Sequence, residues 1–333
     1  MITQLLDSAL DRTVLGGYTS IGYRIRSRDW NDADLARMDG KVVLVTGASS
    51  GLGLAAAAGF AHLGATVWLV VRSASRGETA RQTVMARSGN RDVHVGLCDL
   101  SEQASVRRFA ASFMDEAPRL DVLVNNAGVL SESRTLSPDG IELTFATNVV
   151  GPFLLTSLLV PLMQRSAPSR ILNVSSGGMY TRKLRVEELE GQDEEFDGSA
   201  TYARTKRAQV TLTELWAERL EGTGVVVHAM HPGWVDTAGI RSSLPRFAKL
   251  TKPLLRTPEQ GADTIVWLGA GAAPGQSSGH FWHDRRQRTT YVLPGTKEPW
   301  EERERLWALC LRLSGLPVSN RSAAPISSAG ARR

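Results

Sequence analysis

The sequence predicts an α/β fold: a doubly wound parallel sheet between two layers of helices, a three-layer α/β/α arrangement. Three observations predict it. Short apolar runs alternate with helical segments along most of the 333 residues. The first run ends in a glycine-rich turn that opens a helix. Polar residues able to touch a ligand recur where later runs end, and in an open parallel sheet those ends line the ligand crevice.

Residues 1–39 precede the first clear strand and carry short amphipathic pieces such as Leu5, Leu6, Leu10 and Leu15. They read as a helical extension packed on the core, with a peripheral membrane contact as the alternative. Lys41–Thr46 is the first strand, and Leu52–Leu63 is an alanine-rich helix stopped by Gly64. Strands follow at Thr66–Val71, Val93–Leu97 and Leu120–Val124, with helices over 77–87 and 103–116 between them. The second half gives a strand at Arg170–Val174, a helix over 202–219 and a strand at Val225–Met230. A helix over 257–268 and a strand beginning at His280 and Phe281 complete the alternation. The domain reading is an extension over 1–39, a core domain over 40–295, an amphipathic helix within 296–313, and a tail over 314–333. The tail is rich in Ser, Ala, Pro and Arg and is expected to be disordered.

A net charge of +5 is small for this length, and no basic stripe interleaves with aromatics, which argues against nucleic-acid binding. Two cysteines, Cys98 and Cys310, cannot build a disulfide framework and suit a reduced, cytoplasmic protein. Asp7 and Asp11 interrupt any apolar leader core. The longest nearly apolar run, Val149–Met163, is short for a bilayer span and reads as a helix buried in the protein or at a subunit contact. His280 and His283 with Asp284 offer too few ligands for a metal, so none is expected.

The turn Thr46-Gly47-Ala48-Ser49-Ser50-Gly51-Leu52-Gly53 follows a strand and opens a helix, the context in which glycines let a backbone approach a pyrophosphate. Nineteen residues after Gly53, at the end of the second strand, stands Arg72. An acid there would bind the 2′-hydroxyl of NAD, whereas an arginine suits a 2′-phosphate, so NADP(H) is expected over NAD(H), with Arg76 assisting. Asp99-Leu100 ends the third strand, within reach of an adenine amino group, and Asn125-Asn126-Ala127-Gly128 ends the fourth. Of five tyrosines, Tyr202 alone is followed four residues later by a lysine, Lys206. On a helix the two share a face, and a cation beside a phenol favours the phenolate, which suits a carbonyl/alcohol pair.

These residues resemble the short-chain dehydrogenase/reductase family. The matching pieces are the TGASSGLG turn, NNAG at Asn125–Gly128, Asn148 in a helix, Ser175-Ser176 after a strand, Tyr202 with Lys206, and His231-Pro232-Gly233-Trp234-Val235-Asp236-Thr237. The resemblance covers about residues 40–295. It implies a Rossmann-type fold and nicotinamide-dependent oxidation or reduction. It implies that Ser176 hydrogen-bonds the substrate oxygen and that Tyr202 is the general acid in reduction. Lys206 would bind the nicotinamide ribose and depress the Tyr202 pKa, and Asn148 would hold a water in a proton relay through Lys206. Gly47, Ser49, Ser50, Gly51, Leu52 and Gly53 would cradle the cofactor with Arg72, Asp99, Leu100, Asn126, Ala127 and Gly128. Gly233, Val235 and Thr237 would contact its nicotinamide side. Homodimers or homotetramers through the helices bearing Asn148 and Tyr202 are the family's implication for assembly.

The gap between Ser176 and Tyr202 is long and carries Arg182, Lys183 and Arg185 before an acidic stretch over 187–197. This insert over 182–197 reads either as a solvated loop or as a rim over the substrate mouth. Residues 238–255 mix Ile240, Leu244, Phe247 and Leu250 with basic residues and read as a mobile segment over a pocket for a lipophilic carbonyl or alcohol. The rival reading from another class is a non-catalytic NADP-binding regulatory or scaffold module.

Overall fold

Residues 14–190, 196–236, 251–292 and 297–317 are described by the computed structural model. Their centre is an eight-stranded sheet of order β3-β2-β1-β4-β5-β6-β7-β8. The strands are β1 (Val42–Thr46), β2 (Thr66–Val71), β3 (Val93–Leu97), β4 (Val122–Asn125), β5 (Ser169–Val174), β6 (Val225–Met230), β7 (His280–His283) and β8 (Arg286–Arg288). All neighbours run parallel except β7 and β8, which form an antiparallel hairpin. The order reverses between β1 and β4, and a doubly wound sheet opens its ligand crevice at such a reversal.

The inner strands are apolar on both faces because helices cover both. Leu44 of β1 joins one core, and Val43 and Val45 join the other. Helices α1 (Val14–Tyr18) and α2 (Ser20–Arg26) precede the first strand, and on the second side lie α3 (Gly51–His62) and α4 (Ala74–Ser88). Ala55, Ala56, Phe60, Ala80 and Val84 of α3 and α4 pack there with Ile265 and Trp267 of a later helix. On the first side lie α5 (Gln103–Glu116) and α6 (Leu143–Arg165), with a π-helical turn at Ala146–Val150 inside α6. The remaining α-helices among the described residues are α7 (Val186–Leu189), α8 (Gly198–Arg219), α9 (Pro258–Ala270) and α10 (Trp300–Leu313). Of these, α9 is the one that completes the second side. Each large apolar side chain so buried contributes about 1.5–3 kcal/mol.

Among the described residues α6 is long and apolar enough to cross a membrane, yet 78% of its most apolar window is buried inside the protein. It is apolar because sheet, α5, α8 and α10 enclose it. Trp307 of α10 packs edge-on against Phe153 of α6 at 4.9 Å and Trp216 of α8 at 4.7 Å between ring centroids. Helix α10 thus covers part of the α6 and α8 surface.

Two elements differ from the sequence reading. β8 is an edge strand of polar residues (Arg286, Gln287, Arg288) reached through Asp284 and Arg285, both at positive φ (50° and 55°). That is the backbone of a tight hairpin turn, normally marked by Asn or Gly, and nothing in the residue types announced it. The insert is more than a solvated loop. Leu184, Val186 and Leu189 are buried in the core, the Val186 N–H donates to Glu302 of α10, and Glu188 pairs with Arg204 of α8. Helix α7 therefore serves as a wedge between α8 and α10. Residues 1–13, 191–195, 237–250, 293–296 and 318–333 lie outside the described residues, and with them most of the expected mobile segment, Thr237 and most of the tail.

Candidate active site

A cavity of about 910 Å³ runs along the C-terminal ends of the parallel strands. Its lining includes Gly47, Ser49, Ser50, Gly51, Leu52 and Gly53 of the first turn, Arg72, Asp99 and Leu100 after β2 and β3, and Asn126, Ala127 and Gly128 after β4. It continues past Ser176, Tyr202 and Lys206 to Gly233 and Val235. Residues spread over nearly two hundred positions thus share one wall, as the sequence reading expected. Asn148 stands behind that wall, with Thr147 in front of it.

The glycine turn is shaped by backbone demands. Gly47 sits at φ +67°, and a Cβ there would lie 2.8 Å from the Ala127 Cα. A Cβ on Gly53 would come within 2.5 Å of both the Asn126 Nδ2 and the Gly47 carbonyl. Only glycine allows the two loops to close on each other. Thr46 locks them: its hydroxyl accepts from the N–H groups of Asn126 and Ala127, both at 3.0 Å, and the Asn126 side chain donates to the Thr46 carbonyl at 2.8 Å. Asn126 therefore braces the turn while also lining the cavity. Ser50 precedes α3 and makes no side-chain cap, so the first N–H groups of α3 stay open to an anion. Arg72 and Arg76 line the rim, and neither guanidinium pairs with a carboxylate among the described residues. Asp99 accepts from the Ser101 N–H at 2.9 Å and hydroxyl at 2.7 Å, which fixes its carboxylate at the wall. An anion cradle with a cation at its rim fits a nicotinamide dinucleotide.

At the other end, Ser176 and Tyr202 meet through a hydrogen bond between their side chains. Ser176 follows β5 and takes a further hydrogen bond from the Gly178 N–H at 3.2 Å, while Tyr202 projects from the second turn of α8. That helix starts at Asp197, whose carboxylate caps the N–H groups of Ser199 and Ala200. One turn on, the Lys206 ammonium lies 5.4 Å from the centre of the Tyr202 ring. It donates to the Val174 carbonyl at 2.9 Å and to the Gln209 side-chain oxygen at 3.0 Å. The expected depression of the Tyr202 pKa by Lys206 is not found. Burial pushes the phenol up to about 12, with the Ser176 hydrogen bond pulling the other way, and burial alone pushes Lys206 down to about 7. Desolvation disfavours both charged forms, and the ammonium points at carbonyl oxygens rather than at the phenol oxygen.

Asn148 braces the loop after β4. Its side chain donates to the Val129 carbonyl and the Thr205 hydroxyl and accepts from the Val129 N–H at 2.8 Å. Its backbone carbonyl accepts from the Gln209 amide at 2.7 Å. A side-chain link from Asn148 to Lys206 therefore runs through Gln209. The sequence reading did not single out Gln209, although its place three residues after Lys206 on one helix face was visible.

A second feature went unread. Gly233 and Trp234 are held from behind by the N-terminal segment: the Trp234 N–H donates to the Tyr18 carbonyl at 2.8 Å. The Tyr18 ring lies edge-on to His231 and His283 and beside Gly177, where a Cβ would meet it at 3.4 Å. The Gly17 carbonyl accepts from both Arg26 and Arg256 at 3.0 Å, and those two arginines grip Asp284. All three charged side chains are at most 3% exposed. Burial of Asp284 is outweighed by the attraction of His283 and the arginines, which hold its carboxyl far below the usual range. Burial, and then the Arg256 charge, pushes His283 down to about 4, and its Nδ1 hydrogen-bonds the His231 carbonyl. His283 and Asp284 thus belong to this brace.

The model of the short chain dehydrogenase family matches residues 41–246. The chain is 41% identical to dehydrogenase/reductase SDR family member 12 of Bos taurus over 87% of its own length and 91% of that protein. It is 36% identical to retinol dehydrogenase 12 of Bos taurus over 83% and 87% of the two lengths. Among solved structures, an uncharacterised protein from Mycobacterium paratuberculosis is similar with a TM-score of 0.69 and 28% identity, covering 86% of this chain and 98% of that one. The NADP complex of RhlG from Pseudomonas aeruginosa is similar with a TM-score of 0.60 and 26% identity, covering 73% and 94%. Fold, cavity and relatives agree: this chain belongs to the short-chain dehydrogenase/reductase family, NAD(P)-dependent oxidoreductases acting on CH–OH groups.

Proposed function

We propose that this protein interconverts a lipophilic ketone or aldehyde and its alcohol with NADP(H), using Ser176, Tyr202 and Lys206. The observation that carries this reading is the meeting of the Ser176 and Tyr202 hydroxyls, with Lys206 one helical turn away, in the cavity that also holds the glycine turn. A bound nicotinamide dinucleotide supplies or accepts the hydride. Gly47, Gly51, Gly53 and the open N-terminus of α3 would hold its pyrophosphate, and Lys206 its ribose. The unpaired Arg72 and Arg76 favour a 2′-phosphate.

In the reducing direction, charge builds on the substrate oxygen as the carbonyl carbon is attacked. Ser176 and Tyr202 both donate to that oxygen, and the Tyr202 proton completes the alcohol. A phenol held near 12 stays protonated at neutral pH, so the acid is loaded before reaction. One fixed donor at a developing oxyanion is worth about 2.7–4 kcal/mol. A lipophilic substrate is supported by the name of the relative retinol dehydrogenase 12. Buried, unpaired Cys98 and Cys310 suit a reducing, cytoplasmic setting.

The test is NADPH oxidation with a panel of apolar aldehydes and ketones, run beside Tyr202→Phe. Turnover in the variant should fall by roughly a thousandfold or more, with NADPH affinity within about twofold. Normal turnover in Tyr202→Phe would reject the assignment. NADPH binding without turnover of any carbonyl by the unaltered chain would favour a non-catalytic dinucleotide module.

A further inference from the structure

The π-helical turn at Ala146–Val150 places Asn148 four residues before Pro152. Proline has no N–H, so the Asn148 carbonyl lacks the helical donor that an ordinary residue at 152 would supply. Gln209 fills that place. Its side chain is buried, its amide N–H donates to the Asn148 carbonyl at 2.7 Å, and its oxygen accepts from the Lys206 ammonium at 3.0 Å. The orientation of the amide is fixed chemically: reversing it would set an NH₂ against an ammonium and an oxygen against a carbonyl oxygen. An ammonium has three N–H donors. Val174 and Gln209 take two, and Lys206 also lines the cavity, so the third is left for a ligand there.

We propose that Gln209 is a positioning residue: a rigid amide bridge from the Asn148 carbonyl to Lys206 that aims the remaining ammonium N–H into the dinucleotide cavity. This assignment rests on the hydride-transfer reading for its purpose, though not for its measurement. The titratable group facing Lys206 is Tyr202 on the same helix. The other elements packed around the ammonium present the Val174 carbonyl, Gly128 and Asn148, and burial is the sole cause of its shift.

The experiment is a fluorescence titration of the full chain with NADPH from about pH 6 to about pH 9, for the unaltered protein and three variants. Gln209→Leu removes the acceptor. It should weaken NADPH roughly tenfold and move the alkaline loss of affinity down by about one pH unit. Gln209→Glu keeps an acceptor and adds a charge that favours the ammonium, so that loss should move up. Gln209→Asn is one methylene too short to span both partners. It should weaken NADPH as Gln209→Leu does, and it carries the test if Gln209→Leu does not fold. An alkaline limb in the same place in all four proteins would reduce Gln209 to packing and overturn the proposal. Failure of the unaltered chain to reduce any carbonyl would count against the hydride-transfer reading alone, because this measurement needs no turnover. Failure to bind NADPH would overturn both.

Discussion

The two ends of the cavity wall are built by opposite means. At the glycine turn the work is done by backbone: Gly47 and Gly53 let two loops touch, Thr46 and Asn126 lock them, and the guanidiniums that line the cavity there, Arg72 and Arg76, are exposed. Behind the Gly233–Trp234 loop the work is done by buried charge: Arg26 and Arg256 both donate to the Gly17 carbonyl of the N-terminal segment and both pair with Asp284. The first arrangement leaves cations open for a ligand, and the second spends every charge on the protein itself. Substitutions at the first end should therefore cost binding and little stability, and at the second stability and little binding.

The largest expected effect tests the buried brace. Asp284→Ala strands two arginines away from water, and breaking a buried pair from one side costs about 3–5 kcal/mol. Thermal or denaturant unfolding would read it, with NADPH affinity of the folded protein nearly unchanged. Because the Asp284 carboxyl titrates far below the usual range, its contribution is intact above the ordinary carboxylate pKa. It is lost only as pH falls through the folded value, so it should play no part in stability changes near neutrality. A variant as stable as the parent would erase the contrast. The intermediate effect lies at the rim: Arg72→Ala should weaken NADPH by about 1.5–3 kcal/mol, leave NADH affinity alone and leave the unfolding midpoint in place. Equal loss for both dinucleotides would remove Arg72 from the 2′-phosphate. The smallest effect is a pH dependence. Burial holds Lys206 near 7, and an anionic ligand beside it raises that value in the complex. NADPH affinity should be full below about pH 7 and fall by up to about tenfold per unit above it, until the pKa of the complex is reached. A flat titration would place the Lys206 ammonium away from the ligand.

The same contrast decides what could be read from the sequence. Backbone demands leave marks in residue type, so the glycine turn, the strand ends and the helical spacing of Tyr202 and Lys206 were legible before any coordinates. The doubly wound parallel sheet followed from the alternation of runs. The buried brace was illegible because its partners, Gly17 and His283, stand 266 residues apart and each is ordinary alone. The insert misled by its charge: Leu184, Val186 and Leu189 were the signal that it packs, but they sit among acids and bases whose partners lie on α8 and α10. The direction of the Tyr202 shift was misread because spacing reveals the lysine and conceals the desolvation, which is the larger effect.

The Gly17 carbonyl has one more consequence. It belongs to a stretch that a designer of shorter versions would trim first, since the family match begins only at residue 41. Cutting there would expose the guanidiniums of Arg26 or Arg256 and unseat Trp234 from behind, so a truncated recombinant fragment should precipitate or be digested rapidly by proteases. The boundary that matters for producing this enzyme lies ahead of Val14, well before its first strand.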